Sequence, residues 1–329
     1  MSSRDLPARS NIPRRFEFLI GRTPLECYRV RGKDVWVKRD DLFARWPAPP
    51  LGKLRGAPLI LAELYAGGVR LVGCWDTRVS ALGQGIAACA MEFPGLRVVT
   101  AYPASLGSSI PEPLCIARQL GAEVLPVRAG RITISFSSAR KAVVERGGVM
   151  LPFGLECPES VEAVSLEASS LPAELVAGGT LIVCCGSGVT LAGLIRGLGS
   201  LPAAYIGVSS GRSVTNIERC LRRHGASLDR VRLFAAETEY NRHSDIFLPF
   251  PSHPNYDQKA WAYLEKNIEH LRPPVLFWNV GAAGTGMPTN QILKERAETN
   301  GRDGLPPNAN ASSTPRLSIG VKRDSLTTP

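Results

Sequence analysis

The segment 180–199, TLIVCCGSGVTLAGLIRGLG, constrains the fold more than any other part of the chain. Residues 180–185 are a β-branched apolar run typical of a buried strand, and residues 191–198 continue at helical spacing. A turn between them comprises Gly186, Ser187, Gly188, Val189 and Thr190. Such a glycine-rich turn directs backbone N–H groups, a helix dipole and two hydroxyl groups at one point, which predicts a phosphate site. The alternative is an ordinary strand-to-helix loop.

The spacing within this turn excludes two common phosphate-binding motifs. No lysine follows the last glycine, as a P-loop requires, and the G-x-G-x-x-G spacing of dinucleotide-binding proteins is absent. We therefore expect a phosphate that belongs to a compound other than ATP or NAD.

Length and composition limit the class of protein. With 329 residues, 44% of them hydrophobic, the chain can form two domains or one large α/β unit. No apolar run reaches membrane-spanning length and the N-terminus lacks the apolar core of a signal peptide, which predicts a cytoplasmic protein with no membrane partner. The eight cysteines form no C-x-x-C pair and no ligand spacing with the four histidines, so we expect buried reduced thiols and no metal site.

The positive charge is concentrated near the N-terminus. The chain carries a net charge of +10, and residues 1–55 contain 13 Lys and Arg against 6 Asp and Glu. This excess can be a solvated basic arm or a surface for an anionic partner such as nucleic acid. The solvated arm is the favoured interpretation, because no interleaved aromatic residues or nucleic-acid-binding motif accompany the charge.

Strand-like and helix-like segments alternate along the chain. Strands are predicted at 69–73, 97–101, 123–127, 149–151, 180–185, 204–208, 231–235 and 275–281. Between them, helices are predicted at about 57–66, 80–91, 159–176 and 213–223, among others. This alternation predicts an α/β fold with open parallel sheets and flanking helices. Residues 286–329 have no apolar periodicity and are predicted to be a disordered tail.

A lysine upstream of the turn completes a recognisable pair of motifs. Lys53 lies in PPLGKLR, a loop that leads into an apolar helix. Together with the run 186–194, GSGVTLAGL, it resembles the fold-type II pyridoxal-phosphate enzymes, the tryptophan synthase β-like family. The most similar branch contains 1-aminocyclopropane-1-carboxylate (ACC) deaminase and D-cysteine desulfhydrase. There a GSGGTxAGL run holds the cofactor phosphate, and the lysine of GGNKxRK forms an imine with the cofactor. Val189 and Leu51 depart from these patterns.

Two later motifs follow the order of the same family, so that the resemblance covers residues 20–283. The segment 254–260, PNYDQKA, resembles the P-x-Y-x-G-K-A of this branch, whose tyrosine lies near the cofactor; Tyr256 is the matching residue. The segment 275–281, VLFWNVG, resembles its closing strand VLFxHTGG. Asn279 and Val280 replace the histidine and threonine, which leaves Asn279 as a cofactor-binding candidate and removes a hydroxyl group beside the pyridine nitrogen.

The resemblance also implies a site for the substrate carboxylate at the start of the helix predicted at 80–91. Two alignments with family members compete here, and under both the usual asparagine is absent. Ser80 and Gln84 remain as the polar candidates for substrate binding. Ser80 can equally serve as a helix N-cap.

The resemblance implies two domains with pyridoxal 5'-phosphate between them. The large domain would comprise residues 1–55 and 153–285, and the small domain residues 56–152. The cofactor would lie in the inter-domain cleft at the carboxyl ends of the strands, where open parallel sheets bind ligands. Lys53 would hold the cofactor and act as the base, with Ser80 and Tyr256 also in catalytic roles and Gly186 to Thr190 binding the phosphate.

The implied activity is that of a lyase or deaminase acting on a small amino acid, with a keto acid and ammonia as products, in a homodimer. Three alternatives stay open. One is an enzyme that remodels an amino acid carried on nucleic acid, which the basic N-terminal arm would suit. Another is a catalytically decayed binding protein, suggested by Leu51, Val189 and Val280. In the third, the glycine-rich turn binds a nucleotide phosphate.

Overall fold

The computed structural model of the protein describes residues 16–286. The first 15 residues of the predicted basic arm lie outside them. So does the predicted tail, apart from Gly286.

A six-stranded sheet forms the larger part of the fold. Its strands are β1 (Leu25–Val30), β2 (Lys33–Arg39), β7 (Thr180–Cys185), β8 (Ala204–Ser209), β9 (Val231–Ala235) and β10 (Val275–Asn279). They are ordered β1-β2-β10-β7-β8-β9 and run parallel, except for the antiparallel pair β1–β2. Every residue of β7 and β10 is buried, because helices and loops cover both faces of these central strands.

A second sheet of four parallel strands lies entirely within residues 56–152. It consists of β3 (Leu71–Trp75), β4 (Arg97–Ala104), β5 (Glu123–Arg128) and β6 (Val149–Met150), in the order β5-β4-β3-β6. The described residues belong to one compact unit. The assignment of the two sheets to separate domains, and the homodimer, remain predictions.

Eight α-helices flank the sheets within the described residues. They are α1 (Ala57–Ala66), α2 (Leu82–Ala90), α3 (Glu112–Gln119), α4 (Ile132–Val144), α5 (Pro158–Ala168), α6 (Val189–Leu198), α7 (Val214–Arg223) and α8 (Asp257–Asn267). Helix α2 is buried along its whole length. A Cβ atom at Gly85 would collide with Leu54, so the missing side chain allows α2 to pack directly on the turn that carries Lys53.

Two elements differ from the sequence prediction. Strand β1 was not predicted, because its alternation of half-buried and exposed residues is weak at the edge of the sheet. Helix α5 ends at Ala168, well before residue 176. Pro172 follows within four residues and lacks the N–H group that a continuing helix needs, so a separate 3₁₀ turn forms at Ala173–Leu175.

Three basic residues of the N-terminal segment are internal and are not part of a solvated arm. Lys38, Arg39 and Arg55 are each less than 10% exposed. Lys38 pairs with Glu167 at 2.5 Å, and Arg39 and Arg55 pair with the aspartates of the 3₁₀ turn Asp40–Leu42. Part of the basic excess therefore neutralises buried carboxylates.

All eight cysteines are free, and six are buried; Cys27 is exposed and Cys115 is half-buried. Within residues 16–286, no helix combines the length and apolar character that crossing a bilayer requires.

Candidate active site

The end of strand β10 holds the turn that carries Lys53. Lys53 lies in a 3₁₀ turn, Gly52–Gly56. The N–H group of Gly52 donates to the carbonyl oxygen of Val280 at 2.8 Å, and Leu51 forms a β-bridge with Gly281. The lysine is thus fixed at the carboxyl edge of the larger sheet.

The amine of Lys53 lies against the glycine-rich turn. Gly154 has a positive φ of 64°, and a Cβ atom there would lie 3.1 Å from Lys53 Nζ and 3.1 Å from the Cβ atom of Ser187. Lys53 Nζ and the Ser187 side chain therefore lie beside the same point next to Gly154. The structure brings Lys53 and the turn together, as the sequence motifs predict.

The protein environment lowers the pKa of the Lys53 amine and so increases its neutral fraction. Burial lowers the pKa of Lys53 from 10.5 to about 8, and the nearby Arg212 guanidinium acts in the same direction. At pH 7 about a tenth of such an amine is neutral, compared with less than about a thousandth for an ordinary lysine. A neutral amine is the form that can attack an aldehyde.

The turn itself presents backbone N–H groups beside an open space. No protein atom lies within 4 Å of the position that a Cβ atom would take at Gly186. Gly188 has a φ of 100° and packs against Ile217 and Cys220 of α7. Val189, which replaces a family glycine, is 1% exposed and begins α6 with its side chain in the core. The N–H group of Val189 donates to Ser187 Oγ at 3.5 Å.

Arg212 is a site residue that the sequence analysis missed. Its Nη1 atom donates to the carbonyl oxygen of Ser187 at 2.9 Å and pairs with Glu156 at 3.1 Å. It follows the end of β8 in the segment 209–213, SSGRS, whose position at the carboxyl edge of the sheet was the available signal. Arg212 adds a positive charge beside the predicted phosphate turn.

A cluster of possible metal ligands lies behind this arginine. Among residues 16–286, ligand atoms of Glu156, Cys220 and His224 lie within 4.8 Å of one another. Glu156 is already paired with Arg212 and Arg223 through its two carboxylate oxygens. With two guanidinium groups on its only carboxylate, the cluster does not support a metal site.

The start of helix α2 is occupied by a protein carboxylate. Asp76, at the end of β3, accepts hydrogen bonds from the N–H groups of Leu82 at 3.2 Å and Gly83 at 2.7 Å. Asp76 is fully buried, and burial raises its pKa to about 6, although hydrogen bonds from Ser80 and the helix oppose this rise. The helix therefore begins at Leu82, two residues later than predicted.

The two predicted substrate-binding residues are both engaged with the protein. Ser80 is half-buried and its Oγ atom accepts from the N–H group of Leu82 at 3.3 Å. Gln84 is fully buried, and its Nε2 atom donates to the carbonyl oxygens of Pro47 and Thr285 at 2.9 and 2.7 Å. Neither side-chain donor of Gln84 is left for a carboxylate, so its role in substrate binding remains a prediction without support from these contacts.

Three hydroxyl groups connect the two sheets near Asp76. Tyr240 Oη lies 2.6 Å from Tyr256 Oη and 2.9 Å from Thr77 Oγ1. Burial raises the pKa of Tyr256 well above its usual value, with the neighbouring Tyr240 adding to the rise. Both tyrosines therefore stay protonated at neutral pH and can donate a proton or a hydrogen bond.

The side-chain amide of Asn279 donates hydrogen bonds within the protein. Its Nδ2 atom donates to Asp41 Oδ1 at 2.8 Å and to the carbonyl oxygen of Pro251 at 2.9 Å. The next residue, Val280, donates its N–H group to Asp257 Oδ1 at 2.9 Å. Asn279 thus ties β10 to neighbouring segments, and its cofactor contact remains a prediction.

Comparison with known proteins identifies both sequence and structural relatives. No protein-family model matches the chain. It is 30% identical over 281 residues to the glycyl-dTMP PLP-dependent decarboxylase of Pseudomonas phage M6, which covers 80% of this chain and 99% of that protein. An ACC deaminase homologue has a similar structure, with a TM-score of 0.67 and 18% identity over 86% of this chain and 99% of the homologue. A hydrogen sulfide-producing enzyme from Fusobacterium nucleatum also has a similar structure, with a TM-score of 0.61 and 13% identity. The match covers 83% of this chain and 97% of that enzyme.

Proposed function

Because the chain belongs to the fold-type II family of pyridoxal-phosphate-dependent enzymes, we propose that it removes the carboxyl group of an amino acid attached to a thymidine nucleotide. The observation that carries this proposal is the 30% identity to a glycyl-dTMP decarboxylase over nearly all of that protein's length. The substrate would need a free amino group to react with the cofactor and a free carboxylate to lose.

The residues around Lys53 fit pyridoxal 5'-phosphate, the cofactor of this family. An amine with a lowered pKa, an open space beside Gly186 and a turn of backbone N–H groups match its aldehyde and its phosphate. Arg212, bonded to the carbonyl oxygen of Ser187, would add charge to the phosphate site. When bound, pyridoxal phosphate supplies an electron sink for the electron pair left on the substrate Cα atom.

The chain's own residues would bind the substrate, orient it and add a proton to its Cα atom. The Cα–carboxylate bond breaks, its electron pair stays with Cα, CO₂ leaves, and one proton is added at Cα. Lys53 Nζ and Tyr256 Oη are the candidate donors of that proton. Tyr240 bonds to the Tyr256 hydroxyl and would fix its orientation.

The test is incubation of the purified protein and pyridoxal phosphate with dTMP that carries glycine with both its amino and carboxyl groups free. We expect CO₂ release and a nucleotide product lighter by one CO₂, with no turnover of free glycine. The methyl ester of the same substrate has no free carboxylate and should release none. Absence of CO₂ from the free acid, with cofactor bound, would contradict the proposal.

Elimination or deamination of a small amino acid is the second candidate function. The hydroxyl chain Thr77, Tyr240 and Tyr256 would serve this reaction as well, because release of ammonia also requires a proton donor. Ammonia and a keto acid in the same assays would support this candidate over decarboxylation.

The modified nucleotide that serves as substrate can be a free monomer or a residue within DNA. The excess of basic residues over 1–55 suits a polynucleotide, although Lys38, Arg39 and Arg55 are buried in ion pairs. Binding to a DNA oligonucleotide that weakens steeply with salt would favour the polymer. Turnover of the free nucleotide without DNA binding would favour the monomer.

A further inference from the structure

We propose that Asp76 keeps the substrate carboxylate away from the N-terminus of helix α2, so that this chain leaves the carboxylate without a stabilising partner there. The inference rests on the proposed decarboxylation and assigns Asp76 as a residue that determines reaction specificity. It is independent of whether the nucleotide is free or polymeric.

The first-turn amides of α2 would otherwise form an anion site. A helix N-terminus at the carboxyl edge of a parallel sheet attracts a carboxylate through its N–H groups and dipole. Here α2 packs on the Lys53 turn through Gly85 and Leu54. Its N–H groups at Leu82 and Gly83 already donate to Asp76. An amino acid bound at Lys53 would find this position filled.

Packing fixes Asp76 in that position. A Cβ atom at Gly83 would lie 2.7 Å from Asp76 Oδ2 and would collide with Thr100 Oγ1. The N–H group of Asp76 also donates to the carbonyl oxygen of Ala101 at 2.8 Å, which extends the pairing of β3 with β4. Asp76 is therefore held in place through both its backbone and its side chain.

Asp76 occupies the N-terminus of α2, and its negative charge also repels the substrate carboxylate. Among residues 16–286 no ion pair joins Asp76 to a lysine, arginine or histidine. A second carboxylate a few ångströms away would face a like charge in a poorly hydrated setting. Stabilising a carboxylate in the ground state opposes its loss as neutral CO₂. Removing that stabilisation therefore favours breaking the Cα–carboxylate bond over breaking another bond to Cα.

The test compares binding of glycine and methylamine to the cofactor-loaded protein, followed by the change in visible absorption. The two probes share the amino group and differ in the carboxylate. We expect the wild type to bind glycine no more tightly than methylamine. Leu82 and Gly83 donate to different oxygens of Asp76, so Asp76→Asn keeps an acceptor for one of these two amides and removes the charge. It should bind glycine at least about tenfold more tightly and leave methylamine affinity unchanged.

Glu112→Gln is the matched control, since it removes the same charge from the exposed first turn of the neighbouring helix α3. This variant should change neither affinity. If the wild type already binds glycine tenfold more tightly than methylamine, the proposal is overturned. This outcome can be read even if Asp76→Asn does not fold. Equal gains for both probes in Asp76→Asn would also overturn it. Because these are binding measurements, they stay informative if the CO₂ assay fails, and the two proposals can fail separately.

Discussion

At the level of single residues, the site depends on how closely Lys53 approaches the glycine-rich turn. Lys53 Nζ and Ser187 both lie 3.1 Å from the position that a Cβ atom would take at Gly154, so a methyl group there would require these neighbours to shift. Lys53 and the turn could be predicted from the sequence, because each is a short contiguous motif. Asp76 and Arg212 could not, because their roles depend on which strand ends the two sheets bring together.

Gly154→Ala should weaken cofactor binding without unfolding the protein. A Cβ atom at this position would crowd the Lys53 amine and the turn, and alanine at positive φ also costs about 1–2 kcal/mol. We expect pyridoxal phosphate affinity to fall about tenfold or more. Spectral titration with the cofactor measures this.

Gly121→Ala is the control for the cost of placing alanine at a positive φ angle. Gly121 has a φ of 91°, yet no atom lies within 4 Å of its Cβ position. It should lose stability to a similar extent and keep wild-type cofactor affinity. Equal cofactor affinity in both variants would show that Gly154 does not shape the site.

At the level of elements, a buried ionic network anchors the Lys53 turn to the larger sheet. Arg55 donates to Asp40 at 2.5 and 3.0 Å and pairs with Glu167 of α5 at 3.2 Å. Asp40 also accepts from Thr23 and from Trp278 of β10. Local pattern predicted the turn and the strand, and not the network, since Glu167 and Trp278 are each more than 100 residues from Asp40 in the sequence.

Asp40→Asn should destabilise the fold strongly. It leaves Arg55 buried without its closest counter-charge, and breaking a buried pair costs about 3–5 kcal/mol. Denaturant unfolding should show a loss of this size in the free energy of unfolding. Asp34→Asn removes an exposed pair with Arg29, in which both side chains are at least 60% exposed. Its cost should be below about 1 kcal/mol. Similar losses in the two variants would contradict a structural role for the network.

At the level of the whole molecule, the sequence predicted most of the parallel strands and the order of most helices. Hydrophobic runs such as Thr180–Cys185 encode buried parallel strands directly. The edge strand β1 was missed because the alternation of its residues is weak. The end of α5 was missed because a single proline beyond a helix does not by itself show at which residue the helix ends. The basic excess was assigned to solvent, because sequence spacing does not reveal which charges are paired internally.

The pH dependence of stability should reflect buried carboxylates. Burial raises the pKa of Asp257 from 3.8 to about 8, with Asp41 adding to the rise. A carboxyl group whose folded pKa is raised binds its proton more tightly in the folded state. Its contribution is thus complete below pH 3.8 and is lost as the pH rises to about 8. Asp76, with a pKa of about 6, acts in the same direction over a narrower range.

Asp257→Asn should flatten this dependence. The asparagine oxygen can still accept from Val280, while the buried charge is removed. We expect its melting temperature to exceed that of the wild type at pH 8 and to match it near pH 4. Asp229→Asn, at an exposed aspartate, should follow the wild-type profile. Parallel profiles for wild type and Asp257→Asn would show that Asp257 titrates as an ordinary surface carboxylate.

The absorbance spectrum of the purified protein with pyridoxal phosphate, beside that of Lys53→Ala, tests most directly whether Lys53 is the cofactor-binding amine. We expect a visible band in the wild type, its loss in Lys53→Ala and its retention in Lys141→Ala, which removes an exposed lysine of α4. Borohydride reduction of the wild type should attach the cofactor covalently to Lys53, as located by peptide mass. A band that persists in Lys53→Ala, or attachment at another lysine, would contradict the assignment.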